Sequence, residues 1–504
     1  MSGGARIAIA LCAFGVVVVS LLIGWWSKKK MSSAQSFFGS TALFGPVSVG
    51  LATMAAAASV FAVMGVPGNF YVLGNTINLW ILSSGGFALS YIILGKKMRA
   101  MAELGPISTL GDVAALRFEN HKGIKFIFAI LIFLASIAYL SSQIKGVTVL
   151  FGYLLGWSPL TSALVIFGIL IVYTAISGDV GGLLTQAFQG FVMVVAGIIL
   201  VISFYMITGG MENAVMTIAN AGEVTGGGIT KALSPNMLDG WGAATNGTTM
   251  AFVIMPMIGL LGQPAILSRM YALKDPRDMP KMGLFASVSH LFVSFLAVVA
   301  GMGAMYLVAS GRILPLENAD SAILAFSEHV GIVCQVFTYA AVISAALSTA
   351  SMFLTMASGM VARDVPDALG MKLDTRKQVT VGRVVMVILG IATIAFTLKS
   401  GSMVAMLTTL GYGTFITATF PVFVIGLLWK GCSKEGTFCG LLVSLVLNIV
   451  CMILVSKGVK WPGGLPWYMN VIALSIIVTV VVSLFTKGAK GNALDPRVQA
   501  AMDL

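Results

Sequence analysis

Ala345-Ala346-Leu347-Ser348-Thr349 lies inside an apolar run, residues 331–361, that closes on Arg363-Asp364. A run of this length can cross a bilayer, since about 20 apolar residues in a helix span the hydrocarbon core. Two adjacent hydroxyls one turn after a small alanine are poor material for a greasy span. They suit a dehydrated sodium ion, which takes hard oxygen ligands from hydroxyls and from carbonyls freed by a broken helix. The alternative is that both hydroxyls bond back to the preceding turn of their own helix. The dipeptide alone leaves both open, and the rest of the chain favours the ion.

Working outward, the chain has 504 residues, 58% of them hydrophobic and 10% charged, with a mean hydropathy of +0.98. That composition excludes a soluble globular protein and predicts an all-α, polytopic membrane protein. Thirteen apolar stretches of helical-span length recur along the sequence, and the short alternating segments of a barrel do not. The net charge of +12 would suit nucleic acid, but its placement follows topology. With the amino terminus outside, Lys28-Lys29-Lys30, Lys96-Lys97, Arg99, Arg117, Arg269, Arg363, Lys487, Lys490 and most other basic residues fall on inward segments. The outward side keeps Arg6, Lys231, Arg312, Lys399, Lys457 and Lys460. The positive-inside rule then predicts a multi-pass protein of the cell membrane, amino terminus outside and carboxyl terminus cytoplasmic. The first apolar run reads as an uncleaved span, because its basic cluster follows the apolar region. Five scattered cysteines without metal-ligand spacing read as small core residues.

The spans group. A first peripheral helix and basic loop (1–40) precede five spans (41–208), a polar Gly-rich outer loop (209–247), five more spans (248–430), and two final helices with a tail (431–504). An odd number of spans per block inverts the second block relative to the first. The first helix of each block carries breakers: Gly45-Pro46, Gly50 and Gly65-Val66-Pro67-Gly68 in one, Pro256, Gly259, Gly262 and Pro264 in the other. Paired interrupted helices point to a binding site near the membrane midplane, because unwinding frees backbone groups for ligand. Gly and Pro also simply permit close helix packing.

These stretches together resemble the sodium/solute symporter family. Four carry the resemblance: 44–68; Tyr173-Thr174 through Ser177-Gly178 to Thr185 and Gln189; Leu261-Gly262-Gln263-Pro264 with Arg269; and Ala345–Thr349 with Arg363-Asp364. The bacterial sodium/proline symporters give the nearest pattern. The resemblance implies a leucine-transporter-type core of two inverted five-helix repeats and a sodium site made by the carbonyls of Ala55, Ala58 and Ala345 and the hydroxyls of Ser348 and Thr349. Several family members carry an aspartate where this chain has Ala57, and another where it has Gln186. No Asp or Glu falls inside any of the apolar runs, so proton coupling through a buried carboxylate has no candidate, whereas a site of neutral oxygens does.

Gln143 and Lys145 lie on the third core helix, and with Ser59 and Gly259 at the breaks they form the candidate solute contacts. A lysine at membrane depth suits an organic anion; the alternative is snorkelling to the outer interface. His290 reads as a hydrogen-bonded packing residue, and Gln189 and Gln263 as bonds between helices. The expectation is a secondary active transporter and not an enzyme: sodium-coupled inward symport of a small organic solute such as an amino acid or monocarboxylate. Its partners are the solute, the sodium ion and the lipid bilayer, with no other cofactor, no nucleic acid and no obligate protein partner. A uniporter or exchanger with a degenerate ion site, or an ion-translocating subunit of a redox complex, are the alternatives.

Overall fold

The computed structural model describes residues 3–27, 37–39, 42–233, 235–400, 403–457, 459, 465–486 and 494–504. Lys28, Lys29, Lys30, Lys460, Lys487 and Lys490 of the charge argument lie outside them. Among the described residues, ten helical segments are long and apolar enough to cross a membrane. Two of them, Pro46–Met101 with 56 residues and Pro159–Thr208 with 50, are more than twice what one crossing needs. Each is interrupted by a glycine off helical dihedrals, Gly74 at φ 69° and Gly178 at φ 53°. The thirteen apolar runs fall on these ten segments, two on each long one, and on the interrupted stretch Asn246–Met257 and Pro264–Met270.

Local signals set the helix ends. Lys122–Leu155 begins at His121, whose ring nitrogen accepts the Ile124 N–H at 3.2 Å, and stops at left-handed Gly156. Pro159–Thr208 begins at Ser158, which accepts the Thr161 N–H at 3.1 Å, with Pro159 in the first position. The segment after Thr208 holds a helix, Met211–Ala221, then an antiparallel hairpin of Gly222–Gly226 with Ile229–Leu233. Gly227 and Gly228 take positive φ at its turn, which a two-residue hairpin loop requires.

A scaffold forms where Ile332–Gly359 packs on both Lys122–Leu155 and Pro159–Thr208, and Thr375–Ser400 packs on Lys122–Leu155. The first broken helix, Pro46–Val60, lies between that scaffold and Met279–Ala309. Small residues permit the approach: a Cβ on Gly146 would fall 2.1 Å from Val60 Cγ1. Ahead of that helix, Ala42 N–H donates to the Tyr271 carbonyl at 3.0 Å and Lys274 N–H to the Phe44 carbonyl at 2.9 Å. The entry of one broken helix is thereby tied to the exit of the other. Arg363-Asp364 closes its span against the loop helix Leu110–Arg117. Asp364 accepts from the Thr109 hydroxyl at 2.9 and 3.0 Å, and Lys125 Nζ sits 2.8 Å from Asp367, 3.4 Å from Asp112 and 3.6 Å from Asp364.

Candidate functional site: the two helix breaks

The first broken helix leaves helical geometry at Ser59, with φ 56° and ψ 177°. That conformation strains a residue with a side chain and persists only where its surroundings fix it. They do. The Val60 N–H, which an intact helix would aim at Ala56, donates instead to Gln143 Oε1 at 3.0 Å, and the Phe61 N–H donates to Ser59 Oγ at 3.1 Å. The carbonyls of 55–57 therefore turn to side chains. Ser348 Oγ donates to the Ala55 carbonyl at 2.8 Å and to Ala345 O at 3.1 Å. Thr349 Oγ1 donates to Ala56 O at 3.0 Å, and the Tyr139 hydroxyl lies 3.4 Å from Ala57 O.

Of the five residues expected to hold an ion, Ala55, Ala345, Ser348 and Thr349 come together. The Ala58 carbonyl accepts the Phe61 N–H at the restart of the helix, and Ala56, outside the expected set, meets the group through Thr349. The gathered oxygens are neutral, fully buried and of the hydroxyl and carbonyl kind, which suits a hard monovalent cation. The two hydroxyls bond across to the facing helix, and Ser348 also bonds back to its own, so the two alternatives for Ser348 coexist.

The second broken helix runs Asn246–Met257, a tight turn Gly259–Gly262, and Pro264–Met270. Thr419 Oγ1 donates to the freed Gly262 carbonyl at 2.6 Å. Gly259 faces Tyr412, Ile416 and Met255, each 3.1–3.2 Å from where a Cβ would stand. Between the breaks, Tyr139 packs tilted against Phe353 and edge-on against Phe415, at ring distances of 4.8 and 5.5 Å, its hydroxyl directed toward Ser59 and Gln263.

Several expectations change here. Gln143 is committed to the protein: besides holding Val60, its Nε2 donates to Tyr139 O and Ser142 Oγ. Lys145 is half-buried and has an acid in its field, Asp320, whose carboxyl the lysine and the Val404 N–H pull down while burial pushes it up more strongly. Gln263 is fully buried, with its side chain against the Tyr139 hydroxyl of another helix. Gln189 makes the interhelical bond expected: its Nε2 donates to Ser20 at 2.9 Å. His290 packs between Trp80 and Phe87 with Ser294, Ser83 and Ser84 within 3.0–3.3 Å of Nδ1.

The sequence reading also missed a charge pair. Asp179, one residue past the Gly178 kink, accepts from Arg269 at 2.8 Å, both side chains buried. The same guanidinium donates to Gln186 Oε1 at 2.8 Å and contacts Met352 Sδ at 3.0 Å, and Gln186 Nε2 donates to Ser351 at 3.2 Å. The absence of acids from the apolar runs is thus not an absence of buried charge: Asp179 lies between two runs that fold as one 50-residue segment. A small cleft lined by Ser108, Thr109, Tyr271, Ser268 and Met352, among others, reaches Asp179.

Comparisons with known proteins bear on the family and the fold. The osmoregulated proline transporter OpuE of Bacillus subtilis is 24% identical over 481 residues, covering 93% of both chains. Sodium/proline symporter 2 of Staphylococcus saprophyticus is 25% identical over 487 residues, 93% of this chain and 91% of that one. Among solved structures, a Na+-coupled sialic acid symporter in a substrate-bound outward-open state superposes with a TM-score of 0.74 at 16% identity, covering 96% of this chain and 98% of that one. The fold is accordingly of the leucine-transporter type. The model of the sodium:solute symporter family matches residues 37–444. The chain is a membrane transporter and not an enzyme, and it belongs to the sodium:solute symporter family.

Proposed function

We propose that this protein carries a small organic solute into the cell by sodium-coupled symport, with the ion held by the carbonyls of Ala55, Ala56 and Ala345 and the hydroxyls of Ser348 and Thr349. The observation that carries the reading is the meeting of the two hydroxyls with carbonyls released at Ser59. Site oxygens come from the broken helix on one side and the scaffold helix Ile332–Gly359 on the other. An ion there stabilises one relative placement of the two, and a ligand drives transport only through such a difference between states. Sodium is the coupling ion of the family, and the proline carriers among its relatives support an amino acid or similar small solute. The inside-positive charge pattern supports an outside amino terminus in the cell membrane.

Reconstituted protein, with an imposed sodium gradient and a radiolabelled solute panel that includes L-proline, tests the reading. Replacing Ser348 and Thr349 by Ala removes two oxygens from a site without a carboxylate, so the sodium concentration for half-maximal uptake should rise at least tenfold with expression retained. Unchanged uptake at low sodium in that variant refutes the ion site. Gradient-independent counterflow in the unmodified protein favours the exchanger reading, which the neutral Gln186 beside Arg269 supports.

A further inference from the structure

The short helix Pro496–Met502 buries one stripe. Val498, Ala501 and Met502 are each 4% exposed, while Arg497, Gln499 and Ala500 are open to solvent. Spacings of three and four residues put the buried three on one face. The helix packs on Lys96–Met101. Two polar ties accompany that seat: Lys97 Nζ donates to the Met502 carbonyl, and Lys430 Nζ pairs with Asp503.

Lys97 and Lys430 belong to different groups of helices. Arg99, beside Lys97 on the same short helix, is buried and donates from Nε to Leu273 O at 2.9 Å and from Nη2 to Lys274 O at 3.3 Å. Helix Lys96–Met101 is thereby fixed to the exit of the second broken helix, and the Lys274 N–H joins that exit to Phe44 at the entry of the first. Lys430 instead follows the segment Val404–Leu428, whose helix Val404–Thr419 packs on Lys122–Leu155 of the scaffold. Arg117 secures that end, its Nη2 donating to Cys432 O at 3.0 Å and Trp429 O at 3.3 Å. The helix carrying Arg117 is tied to the scaffold in turn by Arg363 and Asp112 at 3.3 Å. Segment 494–503 therefore reaches from the broken helices to the scaffold, the two groups between which Ser348 and Thr349 meet the carbonyls of the first break.

We propose that segment 494–503 is an intramolecular strap: docked, it favours the relative placement of broken helices and scaffold seen in this structure, and its release lets them exchange with a second placement. A contact made in one arrangement and lost in the other shifts the balance between them by its own free energy. The seat is three side chains, and a contact that small opens locally well before the fold does. Lys430 and Asp503 are 45% and 57% exposed, and an ion pair in water contributes little. The apolar stripe holds the strap and the ion pair aligns it.

The test is a distance measurement on purified full-length protein by pulsed electron–electron resonance. Spin labels go on Lys281→Cys, exposed beside the exit of the second broken helix, and Lys377→Cys, exposed on the scaffold helix Thr375–Ser400. Cys12 and Cys439 are replaced by Ser, and the other three cysteines are buried. Deuterium exchange of the 495–503 amides reports whether the strap is seated. Met502→Asp should speed that exchange and raise the population of a second label distance at least about threefold. Val498→Asp should do the same, Lys430→Ala should do much less, and Met502→Leu should match the parent. Neither sodium nor solute is needed, so the outcome is independent of the symport reading. Unchanged distances with the strap released, a strap still protected in both Asp variants, or loss of folding in both would overturn the proposal. So would Met502→Leu or Lys430→Ala shifting the distances as far as Met502→Asp.

Discussion

The Arg269–Asp179 pair offers a double-mutant cycle whose outcome the geometry fixes. The guanidinium is 1% exposed and the carboxylate 6%, with nitrogen and oxygen 2.8 Å apart. Removing one partner of such a pair strands a buried charge and costs about 3–5 kcal/mol, whereas replacing both by apolar residues of similar volume is neutral or stabilising. The two single changes should not be equal. Asp179→Leu leaves a guanidinium that cannot shed its proton, held among the described residues by the neutral Gln186 and Met352. Arg269→Met leaves a carboxylate that lines a cleft, which can neutralise itself by protonation. Asp179→Leu should therefore lose the full amount and Arg269→Met about half of it. The double variant should return to within about 1 kcal/mol of wild type, a coupling of about 4–7 kcal/mol, close to the sum of the two single losses. Thermal unfolding of the purified protein in detergent, read by size-exclusion fluorescence, measures all four corners. A wild-type melt for Asp179→Leu, or strictly additive losses, would sink the argument.

Further outcomes follow from single contacts. Gly146→Val places side-chain atoms where Val60 already stands, 2.1 Å from a Cβ, and should abolish uptake or folding, while Val60→Ala in the same chain restores expression. Lys125→Met strips the fully buried Asp364 of its closest ammonium and should lower the melting temperature, with partial rescue by Asp364→Asn. Asp320 has a raised carboxyl pKa, burial outweighing the Val404 N–H and Lys145. Its contribution to stability is present at pH below the ordinary aspartate value and lost as pH rises through the elevated one. Asp320→Asn should flatten that pH dependence in a melting series. Reporter fusions at the two ends should read outside for the amino terminus and cytoplasmic for the carboxyl terminus.

Apolar runs and paired breakers made the helical membrane fold legible, because span length and backbone satisfaction are properties of short stretches. The position of the break was less so. Gly65-Val66-Pro67-Gly68 invites a break there, but Pro67 sits in the first turn of a restarted helix, Val66–Leu73, after a π-turn at Phe61–Gly65. The helix opens instead at Ser59, a residue no propensity flags, because Gln143, 83 residues on, holds the Val60 N–H. That same shift explains why Ala56 rather than Ala58 meets Thr349. Ser348 and Thr349 were readable because two hydroxyls in an apolar run are locally odd. Asp179 with Arg269, and Lys145 with Asp320, join residues far apart in the chain, and sequence spacing has no access to such distances.

Burying Arg269 against Asp179 also has an electrical consequence. A potential of 100 mV does about 2.3 kcal/mol of work on each elementary charge carried across the membrane. A matched guanidinium and carboxylate that move together present no net charge to that field, so their displacement draws no current. If the solute is net-neutral as well, each unit of charge crossing per cycle is a sodium ion. The ratio of steady-state current to solute flux in a voltage-clamped membrane then counts sodium ions directly, and membrane voltage enters the energetics of uptake through that number alone.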